Sequence, residues 1–243
     1  VNAAQSPHAQ RFAGIGRLYG VAAMNHLARA RVLVVGVGGV GSWTAEALAR
    51  TGVGHLTLMD LDEVCVNNIN RQLPALDGTI GLPKVQVLAE RARRINPACE
   101  VVADQRFFTD RTADSVFSQR FDVVIDAIDT HRHKVLLIAE CRRRAVPLVV
   151  AGGAGGRRDP TRVRTKDLSK TTNDALLRNI RRDLRRLHGF PADGPWQVPA
   201  VFSEERPVYP HPDGTVCETS PEQAPTRLDC ATGYGTAAFV TGT

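Results

Sequence analysis

The stretch Arg31-Val32-Leu33-Val34-Val35-Gly36-Val37-Gly38-Gly39-Val40-Gly41 decides the fold. After Arg31 come four apolar residues, three of them β-branched, which predict a short strand. The glycines predict a tight turn that opens directly into a helix. Gly36 permits the turn. Gly38 and Gly39 let backbone N–H groups approach a phosphate, and Gly41 lets the helix pack close to the sheet. Glycine spacing alone is a weak signal. Placed between a strand and a helix, it predicts a nucleotide site.

Outward from this turn the chain alternates apolar runs with helical patterns. Helical spacing follows over Ser42–Arg50, with Ala45, Leu48 and Ala49 on one side. His55–Met59 predicts a second strand. Lys84–Ile95 predicts a helix stopped by Asn96-Pro97. Cys99–Ala103 and Asp122–Ile125 predict strands, the latter apolar enough to be central. Arg132–Arg144 predicts a helix and Pro147–Val150 a fifth strand. Upstream, Arg11–Ala28 predicts one or two helices. This order implies a Rossmann-like, mainly parallel α/β sheet with helices on both faces, in a nucleotide-binding domain over residues 11–154. After Gly152-Gly153-Ala154-Gly155-Gly156 the chain becomes Arg- and Pro-rich and less periodic. Residues 155–243 are expected to form a smaller, irregular substrate-binding part of the same fold unit. It holds one clear amphipathic helix, Asp174–His188, ended by Gly189 and Pro191. Residues 191–225 read as loops and short strands.

Bulk composition narrows the function classes. The chain has 243 residues and a formal net charge of +6. No stretch approaches the ~20 apolar residues of a membrane helix. The cysteines Cys65, Cys99, Cys141, Cys217 and Cys230 are odd in number and widely spaced. That argues for a reducing, cytoplasmic setting, and against a disulfide scaffold or a zinc ribbon, so no structural zinc is expected. The positive balance suits a polyanionic partner such as RNA, or simply a basic soluble protein.

The polar residues sort by position. Asp60 follows the second strand about 20 residues past the glycines, where an acid accepts hydrogen bonds from a ribose. That fits a nicotinamide cofactor as well as ATP. The run Asp62–Gln72 does not: a hydride-transfer enzyme has no use for Arg71, whereas a guanidinium clamps phosphate oxygens and Asn68 can orient them. Lys84 opens a helix, where a cation opposes the dipole. It either serves an anion or is an ordinary surface lysine. Asp126-Ala127-Ile128-Asp129 ends the fourth strand at the sheet's carboxyl edge. Asp129 is a candidate Mg²⁺ ligand, and Asp126 either caps the next helix or orients Asp129.

These motifs together resemble the ThiF/MoeB superfamily of E1-like activating enzymes. The matching residues are the glycine turn 36–41, Asp60-Leu61-Asp62, Asn68-Ile69-Asn70-Arg71-Gln72, Gly81-Leu82-Pro83-Lys84 and Asp126-Ala127-Ile128-Asp129. Thr130 departs from the pattern, since many members have Asn there. The resemblance implies adenylation of a carboxylate by ATP with Mg²⁺, releasing pyrophosphate. It implies ATP contacts from Gly36, Gly38, Gly39, Gly41, Asp60, Asp62, Asn68, Arg71, Gln72, Lys84 and Asp129, with Arg71, Lys84 and Asp129 catalytic. The second half lacks the paired Cys-x-x-Cys of many sulfur-carrier activators. Arg17-Leu18-Tyr19-Gly20, Gly152–Gly156, Lys166–Thr171, Asp213–Cys217 and Asp229–Gly235 instead resemble the branch that dehydrates N6-threonylcarbamoyladenosine at tRNA position 37. There the threonyl carboxylate becomes an acyl-adenylate and the adjacent carbamoyl unit closes a ring. A tethered acceptor has a very high effective concentration. The resemblance also implies a homodimer and, in some members, work with a cysteine desulfurase system.

Other residues carry paired readings. On the Asp174–His188 helix, Leu176, Leu177, Ile180, Leu184 and Leu187 share one face, and Arg178, Arg181, Arg182, Arg185 and Arg186 the other. Only Asp183 interrupts the cations, so the face reads as tRNA phosphate contact over a plain solvated stripe. Arg157, Arg158, Arg162 and Arg164 are expected to extend it. Arg142-Arg143-Arg144 reads as a helix-end cluster. Cys230 beside Asp229 is a candidate nucleophile or sulfur acceptor, or a small buried residue. Cys65, Cys99 and Cys141 read as packing residues, and His131 and His133 as polar helix-start residues. Phe202, Tyr209 and Tyr234 are candidates for base stacking. The competing functions are activation of a ubiquitin-like sulfur carrier, a non-catalytic RNA-binding module and a nicotinamide-dependent oxidoreductase.

Overall fold

The computed structural model describes residues 6–211, 213–218 and 235–243. The chain enters through three short helices, α1 (Pro7–Arg11), α2 (Ala13–Tyr19) and α3 (Val21–Leu27), the last two within the Arg11–Ala28 span where one or two were expected. Gly20, at φ 90°, separates the last two. Then come β1 (Arg31–Val35), α4 (Gly39–Arg50), β2 (His55–Met59), α5 (Lys84–Ile95), β3 (Glu100–Asp104), α6 (Ala113–Val116), β4 (Val123–Asp126), α7 (His131–Arg143) and β5 (Leu148–Ala151). The later elements are β6 (Val163–Asp167), α8 (Ala175–His188), β7 (Pro199–Ser203), β8 (Tyr209–Pro210), β9 (Val216–Cys217) and α9 (Ala238–Thr241).

Seven strands form one sheet in the order β3-β2-β1-β4-β5-β7-β6. All neighbours are parallel except β6, which runs antiparallel to β7 at the edge. Two strands that follow the glycine-rich 152–156 stretch therefore extend the main sheet. Among the described residues that follow this stretch, β7 falls in the region expected to hold short strands, whereas β6 was not expected. Strand β6 escaped the hydrophobic pattern because Arg164, Thr165 and Lys166 in it are all exposed. Charged side chains on an edge strand discourage pairing with another chain.

Strand alternation splits the core in two. Val32 and Val34 face one cluster with Ala45 and Ala49 of α4 and Val85, Leu88 and Ala89 of α5. Leu33 and Val35 face the other, with Val135, Leu137 and Ile138 of α7 and Leu177, Ile180 and Leu184 of α8. Both faces of the central strands are thus covered, as a parallel sheet requires. The three α8 side chains are fully buried. Each contributes roughly 1.5–3 kcal/mol relative to exposure. Leu187 does not join them; it is 58% exposed at the helix end. Asp183 instead turns inward, with His131 Nε2 3.3 Å from its Oδ2. No helix among the described residues is long and apolar enough to cross a membrane.

Candidate nucleotide and substrate site

Strands β1 and β4 lie side by side, and the helices that follow them leave toward opposite faces of the sheet. This is the topological switch point, where open α/β sheets bind ligands beyond their carboxyl ends. Gly36 holds φ 84° there, and a Cβ on it would lie 2.8 Å from the Ala127 carbonyl oxygen. A Cβ on Gly41 would lie 1.8 Å from the Gly36 carbonyl oxygen. Only glycine fits either place. Gly38 caps α4 without a side-chain acceptor, so the first amides of the helix face the crevice as anion donors.

Asp60 reaches this turn: its Oδ2 accepts from Val37 N at 2.8 Å, and its Oδ1 from Asp62 N at 2.9 Å. Burial pushes its carboxyl above the ordinary range, against the pull of the Asp62 amide and the Lys84 charge. Lys84 is buried at the first position of α5 and donates to Asp62 Oδ2 at 3.0 Å. It is therefore not a surface lysine. A cation at a helix N-terminus is unfavourable, and the Asp62 carboxylate offsets that. The stem of Arg71 passes the glycine turn: its Cγ lies 3.7 Å from where a Gly39 Cβ would be. Its Nη1 donates to Asn67 O at 2.8 Å and Asn70 Oδ1 at 3.0 Å. Gln72 is buried with its Nε2 3.6 Å from a Cβ position on Gly38, and its Oε1 has no hydrogen-bond partner. Asn68 is buried and spends its amide locally, accepting from Cys65 N and donating to Asn67 Oδ1. It braces a 3-10 turn over Val66–Asn68.

Asp129 is exposed just past β4, contacted by the Thr130 hydroxyl at 3.4 Å. Asp126 neither caps α7 nor touches Asp129; it is fully buried against Lys134 Nζ at 3.0 Å. Lys134 was not singled out from the sequence, although it sits one turn before Ile138 and two before Cys141 on the apolar side of α7. The C-terminal segment also joins the site. Asn70 Nδ2 donates to Thr236 O at 2.7 Å, and Trp43 Nε1 and Thr241 Oγ1 both meet the Arg71 carbonyl, at 3.0 and 3.5 Å. A cavity of ≈ 50 Å³ opens between Val40, Gly152, Gly153, Arg157 and Thr241, beyond the carboxyl ends of β5 and β7.

The α8 arginines lie on a helix whose N-cap, Asp174, accepts from Leu177 N and Gly153 N. Arg181 bonds the Thr171 hydroxyl, Arg185 stacks over Trp196, and Arg182 and Arg186 flank Asp183. Several expectations are corrected here. Arg157 is buried, donating to Asn173 O, with its charge disfavoured by burial, so it does not extend the basic surface. Phe202 is buried and cannot stack on a base. Cys65 is exposed rather than packed; Cys99 and Cys141 are buried. Cys230, Asp229 and Tyr234 lie outside the described residues.

This arrangement is that of a nucleotide-binding α/β protein of the adenylating kind, and the ThiF family model matches residues 11–186. The chain belongs to the ThiF family. It is 49% identical over 237 residues to the tRNA threonylcarbamoyladenosine dehydratase of Escherichia coli, covering 96% of this chain and 88% of that protein. It is 44% identical over 182 residues to the Bacillus subtilis protein of the same name, covering 75% of this chain and 70% of that one. The crystal structure of E. coli TcdA in complex with ATP superposes with a TM-score of 0.85 at 44% identity, covering 97% of this chain and 89% of that one.

Proposed function

We infer that this protein catalyses the ATP-dependent dehydration of N6-threonylcarbamoyladenosine in tRNA. The carrying observation is a phosphate-ready turn flanked by Arg71 and by the buried Lys84 in its pair with the solvated Asp62, in a chain alike over nearly its full length to dehydratases of that name. In the reaction, a threonyl carboxylate oxygen attacks the α-phosphorus of ATP and pyrophosphate leaves with the bonding electrons. An atom of the neighbouring carbamoyl unit then attacks the activated carbonyl. AMP departs and one proton is lost. The nucleoside ends one water lighter, and ATP has become AMP and pyrophosphate.

The chain's own groups serve these steps. Amides of the 36–41 turn and the Arg71 guanidinium offset phosphate charge where it grows. Lys84 adds a cation that Asp62 holds in place. Asp60 and Gln72 shape the nucleotide side of the crevice, and Asn68 braces the turn that leads to Arg71. Among the described residues no group of three or more His, Cys, Asp or Glu could hold a metal ion. A Mg²⁺ ion bound mainly by phosphates needs only one or two carboxylates. Asp129, exposed and only weakly engaged, fits that need. Mg²⁺ there would neutralise phosphate charge. The arginines of α8 offer tRNA phosphates a basic face, and the exposed Leu18, Tyr19 and Val21 suit a homodimer contact. Cytoplasmic placement fits a tRNA substrate.

The test is a mass measurement. Incubated with ATP, Mg²⁺ and threonylcarbamoylated tRNA, the protein should remove one water from the nucleoside, and Arg71→Ala should abolish the change. An unchanged mass in the presence of protein that binds ATP rejects the assignment.

A further inference from the structure

A lysine with no exposed surface sits directly behind the edge that carries Asp129. Lys134, in the first turn of α7, is 0% exposed, as is its partner Asp126. Its Nζ lies 3.0 Å from Asp126 Oδ1, 2.9 Å from Ile128 O and 3.4 Å from Asp126 O. All three acceptors belong to residues 126–128, the turn between β4 and Asp129. Asp126 Oδ1 also accepts from Ile128 N at 3.0 Å, so one carboxylate oxygen and one ammonium tie the turn from both sides. The same turn abuts the phosphate loop, because the Ala127 carbonyl oxygen lies where a Gly36 Cβ would nearly touch it.

Packing alone does not call for such a pair. A buried ion pair is often matched or bettered in stability by apolar side chains of similar volume. Its surroundings in α7, Val135, Leu137, Ile138 and Cys141, are already buried. What an apolar residue cannot do is hold two carbonyls and a carboxylate in fixed places. We propose that Lys134 is a positioning residue for the reaction: gripping the Asp126–Ile128 turn, it fixes both the Asp129 carboxylate and the Gly36 side of the phosphate loop. The proposal rests on the reading of Asp129 and the glycine turn as the groups that meet the nucleotide phosphates. Lys134 itself touches neither ATP nor tRNA in this role. It acts through the backbone it holds.

The test separates grip from fold. Lys134→Met with Asp126→Asn removes both charges together, so no lone charge is left buried. Lys134→Arg keeps a cation and several donors. For each variant and the wild type, thermal midpoint, equilibrium ATP binding and single-turnover dehydration of threonylcarbamoylated tRNA are measured. The double variant should melt within a few degrees of wild type and bind ATP within about threefold. Its chemical step should be slower on the order of 10²-fold, the scale of an ångström-sized misplacement. Lys134→Arg should recover most of that loss. A double variant with wild-type turnover overturns the proposal. So does a double variant that fails to fold, because the pair then serves the fold itself. An inactive wild type that still binds ATP would instead count against the dehydratase reading, whereas an active wild type beside an equally fast double variant counts against the positioning role alone.

Discussion

Lys84 Nζ and Asp62 Oδ2 stand 3.0 Å apart at the first turn of α5, the ammonium buried and the carboxylate half exposed. The pair joins the loop after β2 to the helix that follows, and it places a cation beside Asp60. Lys84→Met removes that cation; Asp62 stays solvated and Asp60 keeps its two backbone amide donors. The dehydration rate should fall on the order of 10²–10³-fold, the usual effect of losing one preorganised charge at a reacting phosphate. The thermal midpoint should barely move. A variant that turns over like wild type removes Lys84 from the chemistry.

Gly41→Ala probes the close approach of helix and sheet. The new Cβ would lie 1.8 Å from the Gly36 carbonyl oxygen, a backbone atom that cannot step aside. A loss of about 3 kcal/mol or more in stability is expected, together with ATP binding. Denaturant unfolding and nucleotide titration read the two effects. Gly78→Ala is the control for glycine replacement: nothing lies within 4 Å of its Cβ position, and only its φ of 86° resists.

Glu46 sets an acid limit on stability. Burial pushes its carboxyl up, but hydrogen bonds from Arg91 and Arg50 more than reverse this, leaving it below its ordinary 4.5. Arg91 Nε and Nη2 reach it at 2.6 and 3.0 Å, and Arg50 Nε at 2.7 Å. A depressed carboxyl contributes stability that is present above 4.5 and is lost as pH falls through the folded value. Solvent around the arginines holds the effect to about 1 kcal/mol or less. Glu46→Gln should therefore lower the melting temperature at neutral pH and make little difference once the pH lies below the folded value. Equal losses at both pH values would contradict this linkage.

Charge reversal on α8 tests whether its arginines contact RNA. Arg178, Arg182 and Arg186 are exposed. Replacing all three by Glu should weaken tRNA binding and flatten its dependence on salt by up to about three units of logarithmic slope. ATP affinity should be unchanged. Binding measured across salt concentrations decides it, and an unaltered slope leaves the helix a plain solvated surface.

Thiol labelling should follow burial. Burial pushes the Cys99 thiol up to about 11 and the Cys141 thiol up to about 12. Neither forms much thiolate near neutral pH, and thiolate is the reactive form. Cys65 is exposed. Peptide mass spectrometry after brief alkylation of the folded protein should find Cys65 modified well before the other two.

Much of the nucleotide half was legible from local pattern. The first two strands and the Lys84–Ile95 helix fall where the residues placed them, and the next three strands shift by one residue. Gly36 and Gly41 were legible because their constraints are steric and nearly local. Arg157 misled because its arginine neighbours are exposed while it is enclosed near Asp174 and Glu205. Leu187 misled because the apolar stripe outruns the surface that α8 covers. Strand β6 was hidden because an exposed edge strand needs no apolar alternation.

Residue order alone determined the strand–glycine turn–helix unit, the acid after β2 and the amphipathic division of α8, since each depends on neighbours within a few positions. Tertiary structure decided which charges are enclosed and what they hold. Thr236 and Thr241 reach the loop around Arg71 across more than 160 positions of chain. Whether Lys134 is a solvated cation or a buried clamp depends on the sheet and α8 closing over α7. Burial is set by surfaces that meet only on folding, so no local pattern can state it.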